Sequence, residues 1–155
     1  MSNPNFTAFK TIARREVSRI LRIWGQTLVP PAITMTLYFL IFGKLIGSRI
    51  GDMGGFDYMD FIVPGLVMMS VIQNAYGNIS SSFFGAKFGR HVEELLVSPM
   101  PNHVILAGYV AGGVLRGLMV GLIVLAIGMA FTHVRVPHPL IMISTILLGA
   151  IIFSL

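Results

Sequence analysis

Four apolar runs, separated by short polar joints, leave this chain few ways to fold. They cover residues 27–46, 58–84, 103–131 and 140–155. A hydrocarbon layer about 30 Å thick needs roughly 20 helical residues to cross it, so the first three runs suffice. The fourth is still apolar where the chain stops at "IIFSL" and is expected to be an incomplete span of a longer protein. Only 11% of the residues are charged, against about 25% in a soluble domain. Too little polar side chain remains to cover a water-facing surface. The expected fold is all-α: a polytopic helical membrane protein, one transmembrane domain over residues 1–155. Cysteine is absent, so neither thiol chemistry nor a zinc–thiolate site is available. The first apolar run is too long and starts too late for a cleaved signal peptide, and reads as a retained anchor.

Charge sets the orientation. Lys10, Arg14, Arg15, Arg19, Arg22, Lys87 and Arg90 fall on one side of the expected spans, and Lys44, Arg49 and Arg135 on the other. The richer side is cytoplasmic by the positive-inside rule, which places the N-terminus inside. The net charge of +5 then fits anionic lipid rather than nucleic acid. Residues 4–25 form an expected interface helix, with Phe6, Phe9, Ala13, Val17, Ile20 and Trp24 on one stripe. Arg15, Arg19 and Arg22 fall opposite, and Arg14 adds to the basic character. That pattern predicts a helix lying in the headgroup layer; periodicity leaves open whether it also docks a cytosolic protein. Pro30 and Pro31 read as markers of the start of the first span, where a missing N–H costs nothing.

Within the spans, polar residues are sparse and face protein rather than lipid. Ser70, Asn74, Asn78 and Ser81 share one face of the second span, with Gln73 beside them, and read as helix glue or pathway lining. Gly113, Gly117 and Gly121 repeat at small-xxx-small spacing in the third span, and Gly108 and Gly112 form a pair on another face. Both sets predict close helix packing. Arg116 is the lone charge well inside a span, expected to snorkel or to form an ion pair near the cytoplasmic mouth. No phosphate-binding loop occurs: "FGKLIG" lacks the leading Gly and the Ser or Thr. His133 and His138 make poor metal ligands with Pro137 between them. No catalytic, cofactor-binding or metal site is expected in this chain.

The joint between the second and third spans is the informative one. Over residues 86–97, Phe88, Val92, Leu95 and Leu96 share one helical arc, opposite Lys87, Arg90, Glu93 and Glu94. About 12 residues make roughly 18 Å of helix, too short to cross a bilayer. Pro99 stops it, because the residue before proline leaves the α region. Such a helix either tethers its neighbours or docks a soluble partner by Phe88, Arg90, Glu93, Glu94, Leu95, Leu96 and Pro99. The residues alone also admit an ATP-independent secondary transporter or channel subunit.

"EELLVSPMP", "YMDFIVPGLVMMS" and "RIWGQTLVPPAITMTLYFLIFGKLIGSRIG" occur in this order, and the chain resembles the ABC-2 type transporter permeases along its whole length. That resemblance implies six spans, of which this chain holds three complete and one truncated. It implies a homodimer of the permease in a bacterial inner membrane, exporting substrate with a separate ABC-type ATPase subunit. ATP and Mg would then be bound by that ATPase, and residues 86–97 would be the coupling helix.

Overall fold

The computed structural model describes residues 4–47, 58–97, 100–131 and 139–155. Every element among them is helical: α1 (Pro4–Arg22), α2 (Trp24–Tyr38) continued by a π-helical stretch (Phe39–Gly47), α3 (Tyr58–Phe88), α4 (His91–Val97), α5 (Asn102–Phe131) and α6 (Pro139–Ile152). Two stretches are long and apolar enough to cross a membrane, Trp24–Gly47 with 24 residues and Asn102–Phe131 with 30. α3 has 31 residues, about 46 Å of helix, but carries more polar side chains.

α1 and α2 run almost without a break. The amide of Ile23 donates to the Arg19 carbonyl at 3.2 Å, and that of Thr27 to the Ile23 carbonyl at 3.0 Å. The i→i−4 ladder therefore passes through the joint, and the helix does not start at Pro30. Pro30 and Pro31 lie inside α2, contrary to the sequence expectation. Their rings cannot donate to the carbonyls of Gln26 and Thr27, so two acceptors there lack their usual helical partners.

α5 is the hub. It packs most extensively on α3 and also meets α1, α2 and α6. A Cβ placed on Gly117 would lie 3.0 Å from the Ala75 Cβ and 3.1 Å from the Val71 carbonyl, and one on Gly121 would lie 2.5 Å from a Val71 methyl. On a second face, a Cβ on Gly108 would lie 2.5 Å from an Ile12 methyl, and one on Gly112 would lie 2.7 Å from the Glu16 Cβ. Backbones thus approach closely on both sides, as small residues permit. The core between these helices is Met35, Phe39, Val63, Val67, Val71, Ala75, Val120 and Val124, with Ile146 and Ala150 of α6 closing it.

Two expected elements differ from those observed. α1 buries Ile12, Glu16 and Ile20; of the expected stripe, Ile20 is buried and Phe9, Ala13 and Val17 half-buried, but Phe6 and Trp24 at its ends are exposed. The inner face of α1 is set by the glycines of α5, which leave room for a carboxylate. The joint helix also starts later than Ala86. α3 runs through Phe88, and Arg90 takes a positive φ of 57°, a region non-glycine residues seldom occupy. The break separates Phe88 from Val92, and only seven residues form α4. Pro99 lies outside the described residues, as do the side chains of Leu95 and Leu96.

Gly117→Val should destabilise the full-length protein by about 1–3 kcal/mol through overpacking. Gly77→Ala, where nothing lies within 4 Å, should leave it nearly unchanged. Thermal unfolding in detergent measures both.

Candidate functional site

Three places hold the polar residues that composition made scarce. The first is a network at the end of the bundle where α3 finishes and α5 begins. Glu16 is buried against Gly112. The Ser82 hydroxyl donates to Glu16 Oε1 at 2.7 Å, and Arg19 Nη2 donates to Oε2 at 2.9 Å. The same Nη2 reaches Asn78 Oδ1 at 3.0 Å. A buried carboxylate demands such partners, and here α1 and α3 supply them while α5 supplies the space. Arg19 therefore turns inward, away from the outward side the sequence pattern gave it; Arg14, Arg15 and Arg22 stay exposed. Neither Glu16 nor Ser82 was singled out from sequence. The available signal was a lone acid in a basic helix with Arg three positions on.

The second place is a cleft of about 280 Å³ between α2, α3 and α5. Gln26 and Thr34 line it from α2, Gln73 and Asn74 from α3, and Arg116 from α5. Arg116 is half-buried, and its Nε is buried with no hydrogen-bond partner. Among the described residues it forms no ion pair. Arg116 faces the cleft that α2 and α3 line. Asn74 Nδ2 donates to the Ser70 carbonyl at 2.9 Å, which fixes that amide against its own helix. The polar face expected on α3 is divided: Ser70 and Asn78 are buried, whereas Ser81 and Gln73 are exposed. Gly113, Gly117 and Gly121 lie behind the cleft in the α3–α5 contact and line none of it.

The third place is the α3–α4 elbow. Phe88 and Val97 are 81% and 86% exposed, and Arg90, Glu93 and Glu94 are exposed too. His91 Nδ1 lies 4.0 Å from Glu94 Oε2, a solvent-facing pair of little energetic weight. α4 packs appreciably only on α3. In chain order it joins the end of α3 to the start of α5.

Helices long and apolar enough to cross lipid, packed through glycine and polar side chains on their inner faces, define an α-helical membrane protein. More particularly, the chain belongs to the ABC-2 type transporter family, whose model matches residues 7–155. It is 63% identical over 150 residues to the inner membrane transport permease YadH of Escherichia coli strain K12, an alignment covering 97% of this chain and 59% of that protein. The same identity and coverage hold for the protein of that name in Shigella flexneri. The chain thus spans about three-fifths of the length of these relatives, all named as inner-membrane proteins. No solved structure matches it significantly.

Glu16→Leu in the full-length protein should cost about 1–3 kcal/mol, because Ser82 and Arg19 lose their acceptor. Arg19 is about one-third exposed, so water takes up part of that loss. Ser82→Ala should cost less. Protease accessibility of α1 and thermal unfolding measure the ranking.

Proposed function

We propose that this chain is the larger part of the membrane subunit of an ABC exporter. The subunit works as a homodimer with a separate ATPase, in the inner membrane of a bacterium. Family membership supports transport, and the exposed elbow supports the coupling. In this reading α3 is a further membrane crossing beside the two apolar stretches, residues 140–155 begin a fourth, and two more complete the six. ATP and Mg stay on the ATPase; this chain binds neither.

The observation that carries the coupling is the placement of α4. It is the joint of the two helices that form the largest contact among the described residues, and its elbow with α3 presents Phe88, Arg90, Glu93 and Glu94 outward. A partner seated on Phe88, Arg90, Glu93, Glu94, Leu95, Leu96 and Pro99 would pull on both helices at once. α1 lies at the same end, since Glu16 meets Ser82 late in α3 and Gly112 early in α5. Arg14, Arg15 and Arg22 therefore share this end with Lys87 and Arg90. One positive face results, which supports a cytoplasmic N-terminus and elbow.

In the full-length protein with its ATPase, Glu94→Arg or Leu95→Asp should lower transport at least about tenfold with membrane insertion kept, the scale of a lost interface hot spot. Normal transport by both variants contradicts the coupling role. Flux through the full-length protein in liposomes without nucleotide would place it instead among ATP-independent transporters or channels.

A further inference from the structure

The cleft between α2, α3 and α5 holds a cation that the described residues leave uncompensated. No carboxylate lines it. Arg19 repels Arg116 and is itself already bonded to Glu16. A half-buried guanidinium among apolar helices, with its Nε unpartnered, gains most from an oxyanion, which its planar fork matches. Among the described residues the cleft is open: Gln26, Pro30, Thr34 and Gln73 are exposed at its rim, and Arg116 lines it with them.

The surroundings say what carries the anion. On α2, Ile33 and Leu37 stand one turn apart beside Thr34 and are 64% and 55% exposed. On α3, Met69 and Tyr76 flank Gln73 at i−4 and i+3 and are 44% and 63% exposed. Polar rim and apolar tracks thus adjoin on both walls of the opening. A free inorganic ion would use only the first.

We propose that this cleft is a binding site for an anionic amphiphile: Arg116 holds its phosphate or carboxylate, Gln73 and Thr34 donate at the rim, and its hydrocarbon lies along Ile33–Leu37 and Met69–Tyr76. The ligand is either a membrane phospholipid or a transported amphiphile of the same headgroup chemistry. Binding is read without nucleotide or ATPase, so its failure leaves the coupling proposal untouched.

The test is native mass spectrometry of the full-length protein titrated with phosphatidylglycerol, phosphatidylcholine or inorganic phosphate. Phosphatidylglycerol should bind in preference to phosphatidylcholine. Arg116→Gln should weaken it at least about tenfold, the loss of one charge-assisted contact, while Arg116→Lys keeps part of it. Gln73→Leu, at an exposed rim position, should weaken it less and serves if Arg116→Gln fails to assemble. Competition by a detergent-extracted cellular amphiphile would assign the site to transported substrate; its absence would assign it to membrane lipid, and both support the site. Equal binding of the two lipids, or phosphatidylglycerol binding unaffected by Arg116→Gln and Gln73→Leu, overturns the proposal. So does a wild-type protein that binds no anion while both Arg116 variants fail to assemble, for then a carboxylate elsewhere in the protein pairs with Arg116.

Discussion

The close approach of two helices to opposite faces of α5 is the constraint from which the rest of the structure follows. Gly117 and Gly121 admit α3; Gly108 and Gly112 admit α1. In lipid there is no hydrophobic drive to press helices together, so backbone proximity and its van der Waals contacts must do that work. Any side chain larger than hydrogen at these positions would push α1 or α3 outward. The core valines of α3 and α5 would then lose their contacts, and Glu16 its seat.

That seat explains a second feature. A carboxylate buried at 4% exposure is tolerable only with strong donors nearby. Ser82 and Arg19 provide them, and each bond ties α1 to itself or to α3. The amphipathic N-terminal helix is thus no free float on the membrane surface. It is bonded to the end of α3, close to the elbow. α1 is thereby packed beside both α3 and α5.

Much of this was legible in the sequence, because apolar run length and glycine spacing report lipid thickness and helix contact directly. The all-helical character of the described residues and their capacity to cross a membrane needed nothing more. The inward turn of Glu16 and Arg19 was not legible. Periodicity sorts a carboxylate onto the wet face, and the residue that buries with Glu16, Ser82, lies 66 positions away. The prolines misled for a similar reason. A helix start is the usual place for them, but the ladder through Ile23 carries α1 into α2 and leaves Pro30 and Pro31 inside. The break at Gly89–Arg90 had a local signal in the glycine, masked by the apolar arc that seemed to continue across it. Arg116 could be placed in a span but not aimed, since its direction depends on where α2 and α3 lie.

The registered contact of α1 with α5 is what joins the charged end of the protein to its membrane-crossing core. The chain has no cysteine, so Ile12→Cys paired with Gly108→Cys makes a clean probe within it. The Ile12 Cβ lies 2.8 Å from where a Gly108 Cβ would stand, shorter than the 3.5–4.5 Å typical of a disulfide, so an outward shift of α1 by about 1 Å brings the pair into bonding range. Rapid disulfide formation between these two positions in full-length protein in native membranes is the predicted result. Free thiols at both positions under oxidising conditions, with position 12 open to a water-soluble reagent, would contradict it.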